Sequence, residues 1–310
     1  MTDRPVTELR FPAMGTEAHV IIVGSNGDLV YVAQRRLAEL ERRWSRFLAD
    51  SDVNRINSGA GRPVAVSSDT FLLVTRAVEA WRMTGGAFDP TVLASMHAIG
   101  YDRTFTKMTG LAPIGTLQPS VGCVDILLDA RLRTVMVPIG VGLDLGGIGK
   151  GLAADLVVAE MIGLGGRGAC VNIGGDVRVD GVSPTGDGWE LAIADPFDDR
   201  QFLTTVRISS GALVTSSTKM RAWVQGGQRV HHLINPLTGG PSESDLVSVS
   251  VLTADAWSGE ALAKAMIIVG IETAQQLAAA AGITGVLVAD SEGHFRLPGL
   301  DQFSPVAAVS

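Results

Sequence analysis

His232 is the side chain best suited to proton chemistry in this 310-residue sequence, because an imidazole titrates near neutrality. It sits in HHLINPLTGG, His231 to Gly240. Adjacent residues on a strand face opposite ways, so at most one of His231 and His232 points into a site. A second candidate is GVGLDLGGIGKG, Gly140 to Gly151. A phosphate loop of the G-x-x-x-x-G-K-[ST] type would need glycine where Asp144 stands and a hydroxyl residue where Gly151 stands. Gly147, Gly149 and Gly151 give G-x-G-x-G, which is not the dinucleotide fingerprint either. What remains is a glycine-rich turn opening a helix whose first turn holds Lys150. Free N–H groups and a cation there can face an anion together, or the turn can be only a turn with a solvated lysine. FPAMGT (Phe11 to Thr16), TGGAFDPTV (Thr84 to Val92) and NIGGDV (Asn172 to Val177) likewise combine Gly or Pro turns with a polar side chain able to meet a ligand. Each can also be a structural turn, as Asp89-Pro90 and Asn235-Pro236 illustrate.

Composition narrows the chemistry. The chain has 25 Lys plus Arg against 32 Asp plus Glu, a formal charge of −7, and no basic run, which argues against nucleic-acid binding. No apolar stretch reaches the roughly 18 residues of a membrane span. Two cysteines, Cys123 and Cys170, make neither a disulfide framework nor a cysteine-rich metal site. The start, MTDRPVTELRF, lacks the apolar core of a secretory signal, so a cytoplasmic protein is expected.

The elements that must carry these residues follow from periodicity. Ala18 to Gly24 reads as a strand. Leu29, Val32, Ala33, Leu37, Leu40, Trp44 and Phe47 recur at helical spacing and form one apolar face. Ser67 or Ser68 caps a second helix that runs through Trp81 and stops at Gly85-Gly86. Val124 to Leu128 and Arg133 to Val137 form a hairpin around Asp129. A third helix follows Gly149-Lys150. Short strands are expected at Ala169 to Ile173, Val177 to Val179, Trp189 to Ala194, Leu203 to Ile208 and Leu246 to Leu252. A helix from Ser258 to Val269 is followed by another from Glu272 to Ala281, and Gly285 to Ala289 with His294 to Leu297 closes the chain as a hairpin. Helices and strands do not alternate regularly, so the fold class is α+β with largely antiparallel sheets flanked by helices. No linker divides residues 1–310, which predicts a single domain of two lobes.

Taken in order, these segments resemble the ApbE family, the FAD:protein FMN transferases. The resemblance rests on AMGT, the Asn57 of SDVNRIN, GGAFDPTV, LDLGGIGKG, NIGGD, the Thr215-Ser216 pair, and HLINPLTG, and it spans residues 11–270. It implies a T-fold-like domain that binds FAD, cleaves its pyrophosphate and attaches FMN to a Thr or Ser of a flavin-accepting protein, with release of AMP. Met14, Asn57, Asp89, Lys150 and Thr238 fall on motif positions implied to line the nucleotide site, and His232 on the position of the base. FAD hydrolysis to FMN and AMP, or FAD binding without catalysis, are the alternative readings.

The resemblance also implies a Mg²⁺ site, and here the sequence departs from the family pattern. Where the pattern A-D-A-L-A-T-A-L supplies an Asp and a Thr as ligands, this chain has Glu260 and Lys264. The remaining ligand, a backbone carbonyl, falls on Gly149. An ammonium cannot ligate a metal, whereas Glu followed four residues later by Lys is a favourable helical ion pair. The expectation is therefore that Lys264 replaces part of the metal's electrostatic role. The family's H-x-I-D-P is likewise HLINP, with Asn235 removing one negative charge.

Overall fold

A computed structural model describes residues 5–303 apart from Asn26, Thr109, Leu111, Asp199, Thr284 and 297–299. Two strands open it. Val6–Ala13 (β1) and Thr16–Val23 (β2) pair antiparallel through a Met14-Gly15 turn. Leu29–Trp44 (α1) follows, burying Val30, Ala33, Leu37, Leu40 and Trp44 at the three- and four-residue steps seen in the sequence. It stops at Trp44, so Phe47 belongs not to the buried helical face but to a cavity wall described below.

Ser51 caps a short helix, Asp52–Ser58 (α2), and Val64–Ala65 (β3) leads to Ser68–Met83 (α3). Of the two candidate caps for α3, Ser67 is the one used: its hydroxyl accepts the Thr70 N–H at 3.2 Å. The Asp52 carboxylate accepts from Ser67 N, Ser67 Oγ and Thr70 Oγ1, tying α2 to α3. Leu93–Ala98 (α4) precedes a hairpin of Leu127–Asp129 (β4) and Thr134–Met136 (β5), which β3 completes as a three-stranded sheet.

Gly149–Gly163 (α5) then leads into Gly168–Ile173 (β6) and Asp176–Gly181 (β7). Trp189–Ala194 (β8) and Phe202–Ile208 (β9) form a separate hairpin. Gly211–Ser217 (β10), the small hairpin Ala222–Gln225 (β11) with Gln228–His231 (β12), and Leu246–Thr253 (β13) come next. Ala256–Ala280 (α6), Val286–Asp290 (β14) and His294–Arg296 (β15) complete the described elements. The Leu297 assigned above to the closing hairpin lies outside the described residues.

An eight-stranded sheet, ordered β1-β2-β6-β7-β10-β13-β14-β15, holds these parts together, and every neighbouring pair is antiparallel. Along its strands, successive side chains point to opposite faces, with a register shift in β13 between Leu246 and Ser248. Ala18, Val20, Ile22, Val171, Val214 and Val249 face the helices α1, α5 and α6, while Cys170, Val179, Leu213 and Leu252 face the β8–β9 hairpin. The sheet thus has helices on one side and a hairpin on the other. That is the α+β class expected from the sequence. Among the described residues, no helix is long and apolar enough to cross a membrane.

The turns β1–β2 and β6–β7 and the C-terminal end of β10 share one end of the sheet, and α5 begins there too. α6 is interrupted. Gly270 has φ 78° and ψ 172°, a region open essentially to glycine alone, so two helices meet at that residue. The expectation of one helix ending at Val269 and another starting at Glu272 is met. A Cβ at Gly270 would touch nothing closer than the Ser244 hydroxyl at 4.0 Å, so only backbone strain opposes a side chain there. Gly270→Ala should therefore cost about 1–3 kcal/mol in urea unfolding at neutral pH. A variant as stable as the parent would contradict this origin of the break.

Candidate active site

The shared end of the sheet carries a cavity of about 630 Å³, within the range of small-molecule and cofactor sites. The β1–β2 turn supplies Met14 and Gly15, the β6–β7 turn Gly174, and the end of β10 Thr215, Ser216 and Ser217. Met14 holds its turn with φ 52°, uncommon outside glycine. The loop before α5 contributes Asp144 to Gly147, and the first turn of α5 adds Gly149 and Lys150. His232, Glu260 and Lys264 close the wall.

Three of these charges, Lys150, Glu260 and Lys264, form one cluster with Asp176. Lys150 Nζ donates to Glu260 Oε1 at 3.0 Å and pairs with Asp176. Lys264 Nζ donates to that same Glu260 oxygen at 3.0 Å, and Gly151 N–H donates to Glu260 Oε2 at 2.8 Å. Glu260 and Asp176 are buried. Burial alone would raise the Glu260 pKa, but the two ammoniums and the Gly151 N–H outweigh it and hold the group at about 2. For Lys150 burial dominates, pulling its pKa down to about 8 against the attraction of Glu260. The anions that the α5 turn and its lysine face are thus, first of all, carboxylates of this chain.

This cluster decides the fit of a divalent metal. Mg²⁺ requires oxygen ligands in near-octahedral array. Both Glu260 oxygens already accept from N–H donors, and at the other ligand position stands a cation. No group of three or more His, Cys, Asp or Glu residues able to hold a metal occurs among the described residues. Gly149 lines the cavity, but with Glu260 and Lys264 it does not compose a magnesium site.

His232 follows the last residue of β12. His231 turns away, its Nε2 meeting the Ser242 carbonyl at 3.1 Å and its Nδ1 accepting the Leu233 N–H. His232 lines the cavity, and its buried Nδ1 has no hydrogen-bond partner among the described residues. Burial, then the charges of Lys264 and Arg221, press its pKa well below the ordinary 6.5, so the ring is neutral at physiological pH. The one-in, one-out arrangement read from the sequence holds.

Asp89 also lines the cavity; burial raises its pKa, opposed by hydrogen bonds from Thr91 N at 2.8 Å and Thr91 Oγ1 at 2.7 Å. Asn57 and Thr238 do not line it. Asn57 donates to the Leu143 carbonyl at 3.0 Å and accepts the Leu143 N–H at 2.8 Å, which fastens the chain entering Asp144. Thr238 is exposed and accepts the Gly240 N–H, a role in its own turn. The structure does not bring these two to the cavity wall: Asn57 holds a wall segment in place and Thr238 shapes a turn.

The far end of the cavity was not foreseen. Phe47, Tyr101 and Phe105 line it, and Trp223 packs behind them. Arg46 lies 4.3 Å from the Phe47 ring centroid and 4.6 Å from that of Tyr101, and pairs with buried Asp144 at 3.1 Å. Arg221 reaches Tyr101 Oη at 3.1 Å. None of these residues belongs to a motif; the aromatic Phe47 just past the end of α1 was the available signal.

The fold and site define an α+β protein whose helix-backed antiparallel sheet ends in a cavity lined by lysines and aromatic rings. Residues 14–287 match the ApbE family, and the chain belongs to that family. It is 26% identical over 303 residues to a FAD:protein FMN transferase of Vibrio cholerae, covering 95% of this chain and 90% of the relative. A Klebsiella pneumoniae protein of the same name is 30% identical over 246 residues, 76% of this chain and 75% of its own. Among solved structures, an ApbE protein from Thermotoga maritima superposes with a TM-score of 0.85 at 26% identity, covering 97% of this chain and all (100%) of that one. The flavin transferase ApbE from Vibrio cholerae gives 0.78 at 25% identity, covering 97% and 99%.

The approach of α5 to α6 that builds the cluster needs a missing side chain. A Cβ at Gly151 would lie 2.5 Å from the Ala256 carbonyl oxygen and 2.9 Å from Trp257 N. Gly151→Ala should therefore destabilise by about 1–3 kcal/mol despite alanine's better helix propensity. Gly163→Ala, in the same helix with nothing within 4 Å of its Cβ, should be neutral or stabilising. Thermal unfolding of the two variants side by side checks the difference in sign.

Proposed function

We propose that this chain binds FAD in the cavity and transfers its FMN moiety to a hydroxyl of an acceptor protein, releasing AMP. The observation that carries the reading is the meeting of a neutral, unpartnered imidazole with a lysine pair in one cavity. Membership of the ApbE family supports it, as does the name borne by the relatives. The ammoniums of Lys150 and Lys264 suit the pyrophosphate, and the aromatic end with Arg46 suits a planar ring system. Met14 and Asp89 are the further cavity residues placed toward the nucleotide, with Asn57 acting through Leu143.

The step balances simply. The acceptor's hydroxyl oxygen attacks the phosphorus nearer the riboflavin and forms a P–O bond. The bond to the bridging oxygen breaks, and AMP leaves with that oxygen. The His232 imidazole, which lines the cavity, takes the hydroxyl proton. In-line displacement of this kind needs positioning, charge neutralisation and a proton acceptor, and the cavity brings all three together. The acceptor is a protein with an accessible Thr or Ser; water in its place would give FMN and AMP.

Three outcomes test the reading. Isothermal titration should show FAD binding more tightly than FMN or NAD; equal affinity for the three would count against it. His232→Ala should lower transfer to an acceptor protein by roughly 10²–10⁴-fold with FAD affinity nearly unchanged, and His231→Ala should do far less. Because a depressed pKa keeps His232 unprotonated to lower pH, the acid limb of kcat/KM should fall below the ordinary histidine value of 6.5. A limb above that value would assign the titration to another group.

A further inference from the structure

We propose that Lys264 is a built-in replacement for a divalent cation, so that FAD is bound through its pyrophosphate without any metal. The inference rests on the FAD reading above and adds to it the means of neutralising the phosphates.

Three observations carry it. Lys264 lines the cavity from α6, with Nζ 3.0 Å from Glu260 Oε1, and Lys150 reaches the same oxygen from α5 at 3.0 Å. One carboxylate thus holds two ammoniums side by side at the cavity wall. Glu260 has three of its about four lone-pair positions taken, two by ammoniums and one by the Gly151 N–H at 2.8 Å, so a metal would have a single position left beside two cations. Finally, a fixed ammonium beside the same carboxylate repels an incoming dication, while its remaining N–H bonds stay available to an anion.

The electrostatics favour the lysine role over a mere structural ion pair. Each phosphate of a pyrophosphate diester carries a negative charge. Lys150 and Lys264 are formally balanced by Glu260 and Asp176, so they would meet the phosphates through N–H bonds not engaged by those carboxylates, and Arg221 in the same cavity adds the surplus cation. An ion pair that served only to fasten α6 would have no need to line the cavity.

The experiment is isothermal titration of the whole chain with FAD in EDTA and again in millimolar Mg²⁺, with Mg²⁺ alone titrated into the protein as a control. The expected result is the same FAD affinity in both buffers and no Mg²⁺ binding. Lys264→Met should weaken FAD binding by about tenfold or more, whereas Lys264→Arg, which keeps the charge, should retain most of it. Glu260→Asp combined with Lys264→Thr should bind Mg²⁺ and make FAD affinity depend on it. Thermal unfolding of each variant separates lost binding from lost folding; should Lys264→Met fail to fold, the EDTA and Mg²⁺ comparison on the unaltered protein still decides. FAD binding that is lost in EDTA and restored by Mg²⁺ would overturn the metal-free proposal while leaving the FAD reading intact. Unweakened binding by folded Lys264→Met would overturn it too. Absence of FAD binding in both buffers would overturn the FAD reading and this inference with it.

Discussion

The contact on which the site depends is the crossing of α5 and α6 at Gly151. Without a Cβ there, the start of α6 comes down onto the first turn of α5. Asp155, one turn along α5, accepts the Ala256 and Trp257 N–H groups and so caps α6 from outside its own chain segment. Asp255 caps the same helix locally through Ser258 N. With α6 seated, Glu260 falls opposite the Gly151 N–H and between two lysines. A buried carboxylate is costly unless it is fully hydrogen-bonded and paired, and this one has three donors. A displacement of α6 would strand that charge, so packing at one glycine and electrostatics at one glutamate are a single constraint.

That constraint gives the cavity two unlike ends. Near α5 and α6 it presents two ammoniums that Glu260 and Asp176 formally balance, with Arg221 as a further cation in the wall. Around Phe47, Tyr101 and Phe105 it presents aromatic faces, with Arg46 held against them by Asp144. The Arg46–Asp144 pair is buried and both residues belong to the cavity wall. A ligand that matches both ends must join a polyanion to planar rings.

How much of this could be read from the sequence depended on whether a residue's role is local. Ser67 as a cap, the helical face of α1 and the break at Gly270 are settled by neighbours within a turn or two, and they were legible. β10, GALVTSS, was missed because both its faces are buried and it shows no alternation. Phe47 kept the helical spacing of α1 beyond the point where the helix stops, so periodicity assigned it to the core. Asn57 and Thr238 show a different limit. Their motifs marked positions that matter, but a motif does not distinguish a side chain touching a ligand from one clamping the loop that does. Arg46, Tyr101 and Arg221 meet across long sequence separations, and nothing local announces them.

His232 shows why the lysine pair and the base belong to one design. In the free protein its proton affinity is lowered by burial and then by Lys264, Arg221 and Lys150, which makes the imidazole a poor base. A polyanion bound against those same cations would offset their part of the shift, but the larger part comes from burial, which a bound ligand deepens. Ligand charge and loss of water therefore act on the ring in opposite directions, and both reach it through the wall that the seat of α6 on Gly151 holds in place.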